Sequence, residues 1–248
     1  MNMTLSTETD PAVCVESACG AWSDAPSHLR LWIPAIALLV LDLWSKQWAF
    51  SALDPVQARP VVPGLLEFRQ SLNDGAVFGS FTGYVGVFIA ASLAALVFVL
   101  YMFGCSRRRQ WTLHVALGLV LSGALGNLYD RAFIKADVVL FQTDAGQQRS
   151  HIGTIVSEPD AAFVEIGEWP GGKRPRRYDR SEVTVRRQGV VRDFIKITPR
   201  IPGWVPKLGG YDFWPWVFNV ADACLVIGVA ALLLQSWFVR SHREETAS

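Results

Sequence analysis

Phe218-Asn219-Val220-Ala221-Asp222 sets an amide and a carboxylate three residues apart at the edge of an apolar run that holds no nearby basic residue. An unpaired aspartate there must protonate, find a cation, or share a proton with a second acid. Val190-Val191-Arg192-Asp193-Phe194-Ile195 offers that second acid, an aspartate among apolar neighbours that return the chain to the interface. Two carboxylates at one site do not both ionise cheaply, so one becomes a base and the other keeps its proton. An aspartic peptidase needs this division of labour to activate a water and protonate a leaving amine. Proton-coupled transport and a purely structural pair use the same residues and stay open at this stage.

Two more polar clusters interrupt apolar runs. Asp42, Ser45 and Lys46 recur at i, i+3, i+4 and share a helical face, where carboxylate and ammonium can pair. They form either a self-neutralising pair near the outer end of their span or a support for catalytic groups. Asn127, Asp130 and Arg131 repeat the spacing within Gly126-Asn127-Leu128-Tyr129-Asp130-Arg131, a hydrogen-bonding platform for a peptide backbone or a partner helix. Arg131 has the alternative of snorkelling to headgroups. By position alone Asp130 is the readier partner for Asp222, since both sit at expected helix ends. His114, earlier in the same run, reads as a packed or interfacial histidine.

These residues need apolar elements to hold them. Of the 248 residues 51% are hydrophobic and 18% charged, and the mean hydropathy is +0.25, too apolar for an ordinary soluble domain. The net charge of +1 gives no reason to expect nucleic acid. Cys14, Cys19, Cys105 and Cys224 have neither metal spacing nor the pattern of a disulfide framework, so free thiols and no zinc are expected. Four stretches approach the ~20 residues that cross a bilayer core: about Leu31–Leu53, Tyr84–Gly104, Trp111–Ile134 and Phe213–Val239. Arg30, Arg107, Arg108, Arg109, Arg240 and Arg243 flank span ends on one side, which the positive-inside rule makes the cytoplasm. Both termini then lie inside, and 54–83 and 135–212 face out.

The expected fold is a mainly α membrane protein with four transmembrane helices, a small extracytoplasmic β region after span one and an inserted β-rich appendage between spans three and four. Its parts are a tail over 1–29, spans one to three over 30–135 with the outer β region 54–83, a periplasmic β-rich insertion 136–190, a catalytic loop and span four over 191–240, and a tail over 241–248. In the insertion, Val138–Phe141, His151–Val156, Ala161–Ile166 and Val183–Val185 read as strands. Pro63-Gly64 sets a turn within Val61–Ser71. Residues 1–27 are expected to be disordered. Trp204, Tyr211, Trp214 and Trp216 are expected to form an interfacial belt and are not assigned to substrate.

Taken in order, the motifs resemble those of the lipoprotein signal peptidases, or signal peptidase II, four-span aspartic peptidases of the bacterial cytoplasmic membrane. Asp42-x-x-Ser45-Lys46 is similar to the family's first-span motif, and Asn73-Asp74-Gly75-Ala76-Val77-Phe78 to its Asn-x-Gly-Ala-Ala-Phe segment. Gly126–Arg131 resembles Gly-Asn-x-x-Asp-Arg, Val191-Arg192-Asp193-Phe194 resembles Val-Val-Asp-Phe, and Phe218–Asp222 resembles Phe-Asn-x-Ala-Asp.

The resemblance implies that Asp193 and Asp222 are the catalytic pair, and that Asn73, Asn127, Arg131 and Asn219 orient substrate and hold the pair. Gly75 and Asp130 belong to the neighbouring motifs, and Asp42 and Lys46 support the site from span one. Asn73 also suits a turn ahead of Gly75, and Asn219 a helix N-cap. It further implies cleavage of a diacylglyceryl-modified prolipoprotein on the N-terminal side of the lipid-bearing cysteine, without cofactor or metal, by a monomer in contact with membrane lipid. Its active site is expected near the outer face.

Three departures stand out. Val77 replaces an alanine. Arg192 replaces a valine, and favours the ionised form of Asp193 if it points there. A β-rich stretch of about fifty-five residues, 136–190, stands between Asp130-Arg131 and Asp193, which are normally close. Such an insertion is tolerated when its ends meet, since each doubling of a loop costs only about 0.6 kcal/mol. It reads either as ornament or as a lid or docking surface, with the basic segment Lys173–Arg187 facing anionic headgroups or an acidic partner.

Overall fold

The computed structural model describes residues 20–75, 85–143, 146–158 and 161–245. Expectations for Ala76, Val77, Phe78, Cys14, Cys19 and most of the N-terminal tail fall outside them. Among the described residues four helices are long and apolar enough to cross a membrane: α1 (Ala25–Ala52), α2 (Val85–Gly104), α3 (Trp111–Phe133) and α4 (Val220–Glu245).

Helix α1 starts earlier than its apolar run suggests. The Asp24 carboxylate accepts from the Ser27 amide (3.0 Å) and hydroxyl (2.6 Å), with proline in the first turn. A 3₁₀ turn at Ala21–Ser23 precedes it, Ala21 is fully buried, and its N–H donates to the Ser106 carbonyl at 3.0 Å. Residues 20–27 are therefore ordered, correcting the disorder expected there: a cap and a backbone bond to the α2–α3 loop hold a segment whose composition alone reads as loose.

Helix α4 starts later than expected, at Val220 instead of near Phe213. Pro215 disfavours helical backbone at Trp214, and Asn219 supplies the cap. The intervening Val217–Phe218 is a short strand.

Helix α3 is the axis of the bundle, buried along most of its length, while α1, α2 and α4 turn Ile36, Trp44, Val97, Phe98, Leu233 and Phe238 outward. Gly118, Gly123 and Gly126 let α3 approach its neighbours closely. A Cβ on Gly118 would stand 2.6 Å from the Leu31 carbonyl, and one on Gly123 2.4 Å from the Ala221 carbonyl. Small residues at close crossings are the usual packing device where lipid gives no hydrophobic drive between helices.

Beyond one end of the bundle lie two antiparallel sheets. The first has the order β1 (Arg59–Val62), β2 (Leu66–Asn73), β8 (Val191–Ile197), β9 (Val217–Phe218). Its first hairpin turns at Val62-Pro63-Gly64-Leu65, where Leu65 N–H donates to the Val62 carbonyl (3.0 Å) and Gly64 takes φ +75°, as a type II turn requires. The second sheet has the order β6 (Lys173–Asp179), β5 (Phe163–Glu168), β4 (Gln148–Ile155), β3 (Lys135–Gln142), β7 (Val183–Gly189). It closes over Val139, Val164 and Ile166.

Strand β6 is not among the strands expected from the sequence, where its cations belong to the basic segment Lys173–Arg187 expected to face anionic headgroups or an acidic partner. Its residues, like those of β7, lie on a sheet edge, where Lys, Arg and Pro discourage pairing with another chain. The ends of the insertion meet: Lys135 pairs with Gly189, and Val190 N–H donates to the Ile134 carbonyl at 3.0 Å. The insertion therefore leaves the α3–β8 connection nearly undisturbed.

Candidate active site

Strand alternation in β8 decides what Asp193 sees. Arg192 and Phe194 point to one side and Asp193 to the other. On the Arg192 side the guanidinium meets Asp130, with Nη2 to Oδ1 at 2.8 Å and the backbone N–H to Oδ2 at 3.0 Å, and Nη1 donates to Gln47 Oε1 at 3.1 Å. Arg192 therefore does not point at Asp193, as one expectation had it. It neutralises Asp130 instead.

On its own side Asp193 is 2% exposed. Asn219 Nδ2 donates to Oδ1 at 2.6 Å and Asn73 Nδ2 to Oδ2 at 3.2 Å. Asn73 Oδ1 also accepts from the Gly75 N–H at 2.8 Å, and Gly75 takes φ +92°. The turn role and the clamp on Asp193 are one arrangement. Burial, and next the charge of Asp222, push the Asp193 carboxyl well above the usual carboxylate range; the amide donors Asn219 and Asn73, then Lys46, offset part of this.

Asp222 stands at the third position of α4, and Asn219 caps that helix. Asn219 Oδ1 accepts from the Asp222 N–H (2.9 Å) while Asp222 Oδ2 accepts from the Asn219 N–H (3.3 Å), the reciprocal bonding of a capping box. Asn127 Nδ2 donates to Asp222 Oδ1 at 2.7 Å. Asn219 Nδ2 lies 3.3 Å from Asn127 Oδ1 as well, so one amide ties both carboxylates to α3.

Beneath them Lys46 Nζ is fully buried among Asp42 Oδ2 (2.8 Å), Asn127 Oδ1 (3.2 Å) and Asp130 Oδ2 (3.6 Å). Asp42 Oδ1 accepts from the Ala221 N–H at 2.8 Å, which fixes the first turn of α4 against α1. Gly126 makes room for this, since a Cβ there would stand 2.4 Å from Asp42 Oδ2. Arg131 lies 4.8 Å over the Phe88 ring.

Asp193 and Asp222 open onto one cavity of about 730 Å³. Its walls include Asn73, Trp214 and Trp216, and also His151 and Trp169 from the inserted sheet. Of the residues singled out from sequence, Asn73, Asn127, Asp193, Asn219 and Asp222 form one hydrogen-bonded group, and Asp42, Lys46 and Asp130 the charged layer beneath it. His114 lies elsewhere, buried and bonded to Ser106 Oγ at 2.9 Å. Trp214 and Trp216 face the cavity, which the belt assignment missed; their place directly before the Phe218–Asp222 motif was the available signal. Nothing in the sequence marks His151 or Trp169.

The signal peptidase (SPase) II family model matches residues 34–238. A lipoprotein signal peptidase of Deinococcus radiodurans is 34% identical over 226 residues, covering 89% of this chain and 87% of that protein. One from Desulfitobacterium hafniense is 40% identical over 175 residues, 71% of each chain. In fold, a bacterial membrane enzyme solved by the in meso method at 2.3 Å resolution matches with a TM-score of 0.54 and 19% identity, over 85% of this chain and 88% of that one. A four-helix integral membrane protein matched over this span by that model and by those relatives belongs to the signal peptidase II family.

Proposed function

We propose that Asp193 and Asp222 are the catalytic pair through which this peptidase removes the signal peptide from prolipoproteins. The observation that carries the reading is the shared clamp: Asn219 and Asn127 bind the two carboxylates and each other, at the wall of one cavity. The ionised member takes a proton from a water, which attacks the scissile carbonyl, and the protonated member gives its proton to the leaving nitrogen. No covalent enzyme intermediate is needed. The pair titrates as a unit, so the two roles belong to the pair and not to a fixed residue.

The signal helix lies among the spans with its scissile bond unwound at the outer face, and the acyl chains remain in lipid. Cleavage falls N-terminal to the diacylglyceryl-cysteine, and a monomer suffices. The arginine-rich end of the bundle faces the cytoplasm with both termini, and 136–190 is a periplasmic unit. Asn73, Gly75 and Arg131 orient the substrate, while Asp42, Lys46 and Asp130 hold the platform beneath it.

The test is cleavage by purified protein of a diacylglyceryl-modified prolipoprotein beside the same chain without lipid. Cleavage of the lipidated form alone is expected. Equal cleavage of both would remove lipid recognition from the reading, and no cleavage by folded protein would remove the reading itself.

The pair also sets the pH response. Activity requires one proton on two acids, so kcat/KM rises as the first proton leaves and falls as the second leaves. The raised pKa of Asp193 places the falling limb above the usual carboxylate range. For stability the sign is opposite to that of a salt-bridged acid: the contribution is complete below the unfolded pKa and is lost as pH rises through the folded one. A kcat/KM profile with no falling limb above the carboxylate range would count against a shared proton.

A further inference from the structure

Among the described residues, the side-chain bonds that hold the aspartate pair come from β2, α3 and the cap and first turn of α4, and none from the inserted sheet. The insertion nevertheless forms part of the cavity wall. Ser150, His151 and Ile152 of β4, with Glu168 and Trp169 at the end of β5, line the space onto which Asp193 and Asp222 open.

The wall is fastened to the body of the protein. The Trp169 ring meets Phe50 of α1 edge-on, with centroids 5.9 Å apart, and its Nε1 donates at 3.0 Å to the carbonyl of Lys135, at the start of β3, which holds the ring against its own sheet. Arg174 joins Glu168 (3.1 Å) to Asp54 (3.9 Å), just beyond α1. His151 Nδ1 lies 3.0 Å from the Tyr178 hydroxyl, and burial, then Arg176, lower its pKa, so the ring is neutral at neutral pH. Such contacts hold a surface in one place, and a preorganised surface loses less entropy on binding.

The backbone of β4 suits an extended ligand. Its first six residues, Gln148–Gly153, pair with β3 on one edge, whereas β5 pairs only with Thr154 and Ile155 on the other. Among the described residues, the second edge of Gln148–Gly153 has no strand partner. A peptide running along such an edge gains main-chain hydrogen bonds, and side-chain pockets add selectivity.

Resting on the reading of Asp193 and Asp222 as the cleavage site, we propose that the inserted sheet is a substrate-reading wall. It takes the extended segment on the mature side of the scissile bond along the free edge of β4, with His151 and Trp169 contacting that segment. Topology favours the mature side. The signal segment is an apolar helix and belongs with the spans, whereas the insertion leaves α3 at Phe133 and rejoins β8 beyond the end of the bundle where Asp222 sits. A chain leaving the site toward that sheet is leaving the bilayer. The bound segment is recognised as extended polypeptide, with Trp169 offering an aromatic face to a side chain and His151 a neutral imidazole to the backbone.

The test compares two lipidated substrates in the full-length protein: a prolipoprotein with its whole mature domain, and one truncated directly after the lipidated cysteine. The wild type should show the higher kcat/KM on the long substrate. His151→Ala and Trp169→Ala should each reduce the long-to-truncated ratio, by about tenfold for the double variant. A ratio does not depend on how much of a variant folds, and His151→Ala leaves the Trp169 anchor in place. Cleavage of both substrates with an unchanged ratio in the variants overturns the wall and leaves the catalytic reading standing. If the wild type cleaves neither substrate, both fall together.

Discussion

Asp193→Asn and Asp222→Asn should each lower kcat by about 10²–10⁴-fold while the protein keeps its elution profile and thermal midpoint to within a few degrees. An amide neither takes a proton from water at neutral pH nor gives one to a leaving nitrogen, so each change removes one half of the exchange. At position 193 the one remaining side-chain oxygen keeps the stronger Asn219 bond and gives up that of Asn73, and at position 222 it keeps Asn127 and gives up the Asn219 N–H, so each change forfeits one hydrogen bond and leaves the rest of the clamp in place. The double variant should be about as inactive as either single one, because groups that act as a unit do not contribute additively. Turnover on a lipidated prolipoprotein, alongside unfolding in the same detergent, measures both quantities. Either variant retaining a tenth or more of wild-type kcat would exclude that aspartate from the chemistry. An assembly factor or a transporter would show no cleavage to lose.

Asp222 was legible because an aspartate in an apolar run with no nearby cation demands an explanation. Its partner was harder to find. Position alone favoured Asp130, at a helix end like Asp222, and family resemblance favoured Asp193. In the structure Asp130 is paired with Arg192, sixty-two residues further along the chain, a pairing that no local spacing announces. The helices were legible because length and apolarity are summed over about twenty residues. Their ends were less so, since single residues decide them. Asp24 begins α1 ahead of its apolar run, and Pro215 with Asn219 delays α4.

Strand β6 was hidden because Lys-Arg-Pro-Arg-Arg shows no period-two alternation, and an edge strand facing solvent needs none. The cavity face of the inserted sheet was beyond local reading. His151 and Trp169 acquire their position from the docking of two sheets, and each alone is an ordinary strand or turn residue.

The largest expected loss of stability lies in the charged layer. Asp130→Ala should cost about 3–5 kcal/mol, because it strands the buried guanidinium of Arg192 and takes one of two carboxylates from Lys46. Arg192→Val should cost less. Asp130 then keeps Lys46 at 3.6 Å and the residue 192 backbone N–H at 3.0 Å, and a valine suits a buried strand position. In Asp130→Ala/Arg192→Val the cation that made the first change so costly is gone, so the double variant should be less destabilised than the sum by at least about 1 kcal/mol. Unfolding midpoints of the four proteins in one detergent and lipid mixture give this coupling, and additivity within about 0.5 kcal/mol would mean that the pair does not act as one. Activity separates the two residues further. Because Arg192 faces Asp130 and not Asp193, Arg192→Val should leave the falling limb of the pH profile where it is. A shift of that limb to higher pH would mean that the Arg192 charge reaches Asp193 and favours its ionised form, against the strand alternation that sets the two side chains apart.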